Sequence, residues 1–330
     1  VNWTIDGEIV STEASYTYTM PDEDVTITAN FEEDNLQGWN TINSGTTSSL
    51  FSVYFVDELV GYACGLNGLV IKTVNGGIEW EQLNTGISDR LNDIFFISHD
   101  VGFAVGGVHD GGVGSILKTV DGGVTWSYKI ICNNALTGIN MINLERGFVT
   151  GGSSCGTGLF STIDGGENWV PVSNANSSLW NWSIQFINDN QGFVVGSYDK
   201  FLKTSDGGLT WNGDANMSSN NHVIDVWFTS ELIGYAIGYE GVKKTVDGGI
   251  IWTLITNNVI QSHASLSIRF TSPEIGYYTS GENLYKTTDS GNTWFIEYTA
   301  DNIINKTFFI NENLGFAVGD NGMILKYQNY

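Results

Sequence analysis

The fold is decided by the stretch KTVDGGVTW, residues 118–126, which recurs in closely related form five more times along the chain. The six copies end at Trp80, Trp126, Trp169, Trp211, Trp252 and Trp294. A short polar side chain that accepts backbone N–H bonds, followed by residues that tolerate positive φ, is typical of a tight turn. The closing tryptophan is expected to cover the hairpin with a large apolar side chain. The stretch therefore predicts a repeated β-hairpin.

The acids of this turn are predicted to be structural. They are Asp121, Asp164, Asp206, Asp247 and Asp289. The first copy carries Asn75 at the same place, and an amide can accept the N–H bonds of a turn but cannot replace a catalytic acid. The lysines at one repeat position are predicted to be architectural as well, with their stems along neighbouring strands. They are Lys72, Lys118, Lys203, Lys244, Lys286 and Lys326.

A second motif, a glycine followed by an aromatic residue, recurs at the same period. It occurs at Gly61-Tyr62, Gly102-Phe103, Gly147-Phe148, Gly192-Phe193, Gly234-Tyr235, Gly276-Tyr277 and Gly315-Phe316. Consecutive copies are 39 to 45 residues apart, and runs rich in β-branched and aromatic residues precede them. Four short strands in a period of about 40 residues are typical of a propeller blade. The sequence therefore predicts an all-β fold, a seven-bladed β-propeller of four-stranded antiparallel blades.

The seventh repeat has no Asp turn after its third strand, so its blade would be one strand short. Residues 38–45, Gly-Trp-Asn-Thr-Ile-Asn-Ser-Gly, look like a strand that follows such a turn. This N-terminal strand is predicted to complete the last blade, because a closed ring has no exposed sheet edges between its first and last blades. The predicted propeller spans residues 36–330.

The repeated turn resembles the Asp-box of the bacterial neuraminidase (BNR) repeat. The period near 40 residues and the sevenfold repetition are more similar to the propellers of the photosystem II stability and assembly factor family. The resemblance covers about residues 36–330 and implies the fold. It implies little about activity, because one fold hosts many functions.

Residues 1–35 form a separate segment, predicted to be a partial β-rich module. The stretch WTIDGEIVSTEASYTYTMPDEDVTITANFEE resembles the end of an internalin-type bacterial surface repeat. Alternation over residues 25–31 independently predicts a strand, and a piece this small cannot bury a core of its own. The resemblance implies a secreted or cell-surface bacterial protein, with a monomeric propeller inside a longer multidomain chain.

Charge and hydropathy exclude several kinds of partner. The chain has 36 acidic and 13 basic residues and a formal net charge of −23, which repels a nucleic acid backbone and an anionic membrane surface. No run of about 18 apolar residues occurs, so membrane insertion is not expected. Whether the acidity reflects a saline habitat, calcium-rich surroundings or solubility alone stays open.

Cysteines and histidines carry no metal signature. The histidines, at positions 99, 109, 222 and 263, lack ligand spacing, and the three cysteines include no C-x-x-C pair. No metal and no cofactor are therefore expected. Cys132 precedes the third blade and Cys155 follows its second strand, in loops of one face, so these two cysteines are candidates for a disulfide that would favour export.

Catalytic sets are incomplete. A sialidase needs three converging arginines and a tyrosine nucleophile, but the only arginines, Arg90, Arg146 and Arg269, fall at different places in their repeats. Another glycoside hydrolase needs two acids about 5–10 Å apart. The best candidates, Asp93 and Asp225, occupy the same position in blades two and five and are expected to lie too far apart across the channel. The alternative interpretation is that both are polar residues facing a wet channel.

One face of the ring is the remaining candidate site. Loops before each first strand and between the second and third strands gather around the channel at this face. The candidate ligand-binding residues are Arg90, Asp93, Trp180, Trp182, His222, Asp225 and His263. Aromatic side chains beside a few polar groups suit a sugar or a peptide. The competing interpretation is that Trp180 or Trp182 packs between blades.

These observations favour a non-enzymatic recognition or scaffold propeller, extracellular or at the cell surface, that binds a protein or a glycan through one face. Two alternatives remain. One is a glycoside hydrolase, sialidase-like or other, with acids at the channel mouth. The other is an assembly factor for a membrane protein complex. This alternative is less favoured because the chain lacks the basic surface needed to dock on an acidic partner.

Overall fold

The computed structural model describes residues 2–12, 17–19, 21–22, 24–30, 37–107, 112–152, 156–173, 179–213, 221–257 and 265–329. The chain divides into two compact units, Val1–Gln37 and Gly38–Tyr330. Each unit is described by itself below. No helix in the described ranges combines the length and the apolar character needed to cross a membrane.

The first unit is a small antiparallel sheet. Its strands are β1 (Asn2–Ile5), β2 (Glu8–Ser11) and β3 (Ile27–Asn30), in the order β2-β1-β3. Asp6 and Gly7 join β1 to β2 with φ of 49° and 90°, the positive values that a two-residue hairpin turn requires. Strand β3 lies inside the predicted strand of residues 25–31. Ile9 is 64% exposed, as expected for a sheet too small to bury a core.

The second unit contains seven antiparallel sheets among its described residues, here called blades 1 to 7. Blade 1 has β5 (Leu50–Phe55), β6 (Gly61–Gly65), β7 (Val70–Thr73) and β8 (Glu81–Leu83). Blade 2 has β9 (Leu91–Phe96), β10 (Gly102–Gly106), β11 (Gly114–Thr119) and β12 (Ser127–Cys132). Blade 3 has β13 (Leu136–Met141), β14 (Gly147–Gly151), β15 (Leu159–Thr162) and β16 (Val170–Pro171). Blade 4 has β17 (Asn181–Phe186), β18 (Gly192–Gly196) and β19 (Phe201–Thr204).

Blade 5 has β20 (Val223–Phe228), β21 (Gly234–Gly238), β22 (Gly241–Thr245) and β23 (Thr253–Thr256). Blade 6 has β24 (Ile268–Phe270), β25 (Gly276–Ser280), β26 (Asn283–Thr287) and β27 (Phe295–Thr299). Blade 7 has β28 (Ile304–Asn311), β29 (Leu314–Gly319), β30 (Ile324–Gln328) and β4 (Gly38–Ile42). Short 3₁₀ turns occur at Leu66–Gly68 and Asp320–Gly322.

The blades form a closed ring. The first strand of each blade contacts the first strand of the next, and β28 of blade 7 contacts β5 of blade 1. In blade 7, β4 pairs antiparallel with β30, with Trp39 opposite Tyr327. The predicted all-β propeller and its closure by an N-terminal strand are therefore confirmed.

The Gly-aromatic motif is explained by how neighbouring blades pack. A Cβ atom on Gly102 would lie 2.3 Å from the Phe96 ring of the same blade, so only glycine lets that ring lie flat over the second strand. The Phe96 ring then stacks on Tyr62 of blade 1, with centroids 3.6 Å apart and planes 9° apart. The same stack joins Phe55 to Phe316 and Phe228 to Phe193. Blade 3 differs, because Met141 packs on Phe103 there.

The repeated turn is held by three side chains. In the second copy, Thr119 donates to Oδ1 of Asp121 at 2.8 Å and accepts from the N–H of Gly123 at 2.9 Å. Oδ1 of Asp121 also accepts from the N–H of Thr125 at 2.9 Å. Hydrogen bonds from the Thr125 side chain and N–H, and then from Thr119, lower the pKa of Asp121 to about 2. Asn75 makes the same bonds in the first copy.

The closing tryptophans and the lysines join this turn to the ring. The indole of Trp126 donates to the carbonyl of Gly123 and packs edge-on against Phe96. Nζ of Lys72 in blade 1 lies 5.3 Å from the centre of the Tyr62 ring and donates at 2.9 Å to the carbonyl of Gly122 in blade 2. Lys203 and Lys244 make the same bond to the carbonyls of Gly248 and Ser290 in the next blade, whereas Lys286 pairs with Glu297 of its own blade.

Candidate functional site

The first strands line a central channel in three tiers of equivalent positions. The upper tier is Phe51, Asn92, Thr137, Trp182, Ile224, Leu266 and Asn305. The middle tier is Ser52, Asp93, Gly138, Ser183, Asp225, Ser267 and Lys306. The lower tier is Tyr54, Phe95, Asn140, Gln185, Trp227, Arg269 and Phe308. The upper tier lies at the face that carries the loops before the first strands, and this is called the upper face.

β-bulges produce the upper tier in every blade except blade 6. The register between the first and second strands shifts around residue 182 in blade 4, and equivalent shifts occur in blades 1, 2, 3, 5 and 7. A bulge inserts one unpaired residue and redirects its side chain. Trp182 is that residue, so it lies inside strand β17 and not in a loop as predicted. The bulge aims the indole at the channel mouth.

Asp225 is buried and fully bonded. Its side chain is 1% exposed, and Oδ1 accepts from the hydroxyl of Ser183 in blade 4 at 2.7 Å. Oδ2 accepts from the N–H of Ile268 at 3.1 Å and from Nη1 of Arg269 at 2.6 Å, both in blade 6. Burial alone would raise the pKa of Asp225, but Arg269 first, then Lys306 and the hydrogen bonds, lower it instead. The interpretation of Asp225 as a solvated channel residue is therefore wrong.

Asp93 makes the equivalent bridge between blades 1 and 3. Its Oδ1 accepts from the hydroxyl of Ser52 at 2.6 Å and its Oδ2 from the N–H of Ile139 at 3.0 Å. A glycosidase uses two carboxyl groups, and its general acid needs a raised pKa. The pKa of Asp225 is lowered instead. Both acids connect neighbouring blades, so the geometry gives no support to a glycosidase pair.

An aromatic cluster covers blades 4 and 5 at the upper face. The Trp180 and Trp182 rings are stacked 5.0 Å apart and 9° from parallel. Ser197 Oγ lies 3.2 Å from Nε1 of Trp182 and 3.0 Å from Nδ1 of His222. The His222 ring lies 5.4 Å from Tyr198, whose side chain is exposed. These five residues are called the upper aromatic cluster.

Arg90 lies at the same channel mouth. Its guanidinium carbon is 3.6 Å from the centre of the Phe51 ring, and its Nε donates to Oδ1 of Asn92 at 2.6 Å. Arg90 and Trp182 line one cavity of about 110 Å³. The structure therefore brings together four of the predicted residues, namely Arg90, Trp180, Trp182 and His222. Asp93 and Asp225 belong to the middle tier below them.

Three other predictions concern His263, the disulfide and metal binding. His263 and Cys155 lie outside the described residues, so the predicted Cys132–Cys155 pairing stays a prediction. Cys132 is disulfide-bonded, and Cys64 is a free, buried thiol. No group of three or more potential metal-ligating side chains occurs in the part of the chain that the structure describes.

The arginines are separated. Arg90 lies at the upper mouth, and Arg269 lies in the lower tier of the channel. Arg146 lies beside the repeated turn of blade 4, where its Nη1 is 3.0 Å from the position of a Cβ on Gly207. The three guanidinium groups therefore do not form the carboxylate-binding triad of a sialidase.

The fold belongs to the class of β-propellers, and comparisons with solved structures agree. The structure described as YCF48 bound to D1 peptide matches with a TM-score of 0.69 and 19% identity, over 90% of this chain and 98% of the other. YCF48 from Cyanidioschyzon merolae matches with a TM-score of 0.66 and 18% identity, over 88% and 98%. The GH74 xyloglucanase from Xanthomonas campestris matches with a TM-score of 0.68 and 13% identity, over 86% of this chain and 52% of that chain. Identities this low show a shared fold only.

Sequence comparison adds one finding for the first unit. Residues 1–35 match the family described as the divergent InlB B-repeat domain. No curated protein matches the chain. The assignment of the second unit to the β-propeller class therefore rests on its structure.

Proposed function

We propose that this propeller is a non-enzymatic recognition domain that binds a segment of another protein across its upper face. The observation that carries the proposal is the upper aromatic cluster beside Arg90 at the channel mouth. Large aromatic side chains and arginine supply most of the binding energy in protein interfaces. At this face the side chains of Trp180 and His222 are partly exposed and that of Tyr198 is exposed, so a ligand can contact them.

An extended peptide fits the chemistry of this face. Its apolar side chains would pack on the Trp180–Trp182 stack, and its backbone amides would bond to His222 and to the amide of Asn92. The net charge of −23 favours a neutral or basic segment, because long-range repulsion slows association with an acidic one. The structure described as YCF48 bound to D1 peptide holds a peptide on a similar propeller, which supports a peptide as the ligand class.

A peptide array probed with the full chain tests this proposal. Trp180→Ala is the test variant, because Trp180 lies before strand β17 and its loss leaves the β17 ladder unchanged. Phe295→Ala is the matched control, since Phe295 is 47% exposed on the outer strand of blade 6. We expect the Trp180 variant to lose binding by about tenfold or more, as for an aromatic hot spot, and the Phe295 variant to bind normally. Equal binding by all three chains would exclude this face.

A glycan is the second candidate ligand. The stacked pair of Trp180 and Trp182 exposes a flat aromatic surface of the kind that packs on a sugar ring. The same variants on a glycan array, with released sugars measured in the same wells, separate the two ligands. Release of product by the wild-type chain would overturn the non-enzymatic assignment.

The InlB B-repeat match of residues 1–35 supports a bacterial cell-surface or secreted location. We accordingly propose that residues 1–35 are a partial surface-repeat module and that residues 36–330 are a monomeric propeller within a longer chain. An assembly role for a membrane complex is the alternative suggested by the likeness to YCF48. Fractionation of the producing cells distinguishes them, since the surface proposal requires the chain to be accessible to added protease.

A further inference from the structure

The lower half of the channel contains a cavity that the upper-face proposal does not use. It has a volume of about 320 Å³ and is lined by residues of the middle and lower tiers from all seven blades, including Asp93, Arg269 and Lys306. This volume lies within the range of small-molecule sites, roughly 300–1,000 Å³. The charged side chains of the lining are two cations and one anion, in a chain whose net charge is −23.

Arg269 has unused hydrogen-bond donors. Its Nη1 donates to Oδ2 of Asp225 and to the carbonyl of Ile268, both at 2.6 Å. A guanidinium has five N–H donors in a fixed fork, and the donors on Nη2 and Nε have no partner among the described residues. The guanidinium also packs on Trp227, 4.8 Å from the ring centre. Asp225 and Trp227 thus hold it in one orientation.

Lys306 is the second cation. Its nearest acidic oxygen is Oδ2 of Asp225, and the 3.8 Å separation is too long for a hydrogen bond. Its side chain is 21% exposed, against 14% for Arg269. Lys306 is the one cation among the seven residues of the middle tier. Both cations pair with Asp225, and Asp93, the other acid of the channel wall, forms no ion pair with either of them among the described residues. The ammonium donors of Lys306 are therefore available to a bound anion.

An aromatic arc lies beside these cations. The Tyr54 ring is 4.9 Å from Phe95 and 5.0 Å from Phe308, and the three residues occupy neighbouring blades 2, 1 and 7. Across the channel, Asn140 and Gln185 use their amides to bond the backbones of Phe186 and Phe228. The cavity therefore has an apolar wall on one side and, at the end of that wall, two cations with unused hydrogen-bond donors.

We infer that this cavity binds a small organic monocarboxylate with an aromatic body. The carboxylate would accept from the free edge of Arg269 and from Lys306, because a planar carboxylate matches the guanidinium fork. The aromatic body would pack on Tyr54, Phe95 and Phe308. A monoanion suits the site because Asp93, which also lines the cavity, disfavours a second negative charge.

Isothermal titration of the full chain with 3-phenylpropionate tests the inference, with 3-phenylpropionamide and propionate as matched probes. We expect saturable binding of 3-phenylpropionate, and binding about tenfold weaker for the amide, as for loss of a charge-assisted hydrogen bond. Propionate should also bind more weakly, because it lacks the ring. Equal affinity for the acid and the amide, or no saturation by the acid up to about 10 mM, would overturn the inference.

Two lysine variants test whether the ligand binds in this cavity. Lys306→Met removes one of the two cations of the cavity and keeps the side-chain length, and it should weaken 3-phenylpropionate binding by about tenfold. Lys326→Met removes a charge from the same blade, at a lysine whose Nζ lies 5.9 Å from the Phe316 ring centre, and it should bind as the wild type does. Unchanged binding in Lys306→Met, with a native circular dichroism spectrum, would refute the site.

Discussion

The hydroxyl of Ser183 donates a 2.7 Å hydrogen bond to Oδ1 of Asp225, and this bond ties blade 4 to blade 5 through the wall of the channel. Ser52 and Asp93 repeat it between blades 1 and 2 at 2.6 Å. The two acids differ in their charged partners: Asp225 also pairs with Arg269, whereas among the described residues Asp93 accepts from Ser52 and a backbone N–H alone. The pair of acids thus provides an internal comparison.

Asp225→Asn should destabilise the propeller more than Asp93→Asn does. Removing one partner of a buried ion pair leaves an uncompensated charge on Arg269, which costs about 3–5 kcal/mol. Asp93→Asn loses hydrogen bonds alone, at about 1–3 kcal/mol. Urea unfolding at pH 7 measures both free energies. Equal losses would mean that Arg269 contributes nothing through Asp225.

Acid should destabilise the ring between about pH 4 and pH 2. The pKa values of Asp121, Asp164, Asp206 and Asp289 are lowered to about 2 from 3.8, chiefly by hydrogen bonds within the turn. A depressed folded-state pKa contributes stability that is complete above the unfolded value and lost as pH falls through the folded value. Urea unfolding at several pH values should show this decline.

The Asp121→Asn variant provides the control for this pH dependence. It copies the turn of the first repeat, where Asn75 makes the same bonds without titrating. The variant should therefore lose less stability between pH 4 and pH 2 than the wild-type chain does. An identical decline in both chains would assign the acid sensitivity to groups other than this turn.

Gly102→Ala should cost more than Gly147→Ala. The new Cβ would lie 2.3 Å from the rigid Phe96 ring in the first case and 2.1 Å from the sulfur of Met141 in the second. Forcing atoms into a packed core costs about 1–3 kcal/mol, and the flexible methionine can move aside where the ring cannot. Thermal unfolding of the two variants compares them, and a larger loss for Gly147→Ala would contradict this account of the motif.

Trp39→Ala should loosen the closure of the ring. Trp39 is 6% exposed and packs edge-on on Phe309 and at a tilt on Tyr327, so truncation should cost about 3–5 kcal/mol. Hydrogen exchange should accelerate first in β30, which pairs with β4, and less in β21 of blade 5. Uniform acceleration throughout the ring would show that the closing strand has no separate stability.

The sequence predicted the architecture because the repeated motifs are local. The turn of residues 118–126 and the strand of residues 38–45 each carry their own turn and strand signals, and a fixed period orders them in space. The same period also predicts that Arg90, Trp180 and His222 lie at the upper face, because each of them precedes a first strand.

The middle of the channel could not be predicted in the same way. Arg269 reaches Asp225 from 44 residues further along the chain, and no motif in one sequence links them. Alignment of the repeats places Ser52, Asp93, Ser183 and Asp225 at one position, and this alternation of hydroxyl and acid was the available signal for bonds between blades. The bulge that redirects Trp182 has no comparable sequence signature.

Closure by β4 also sets the order of events during synthesis on a ribosome. The side-chain amide of Asn305 donates to the carbonyl of Leu50, a residue made 255 positions earlier. At about 5–20 residues per second, blade 7 is made tens of seconds after blade 1. Throughout that interval the ring of Phe55 lacks Phe316 and the indole of Trp39 lacks Tyr327. The nascent protein is therefore most vulnerable to chaperone capture and to premature association with other chains until its last blade has been made.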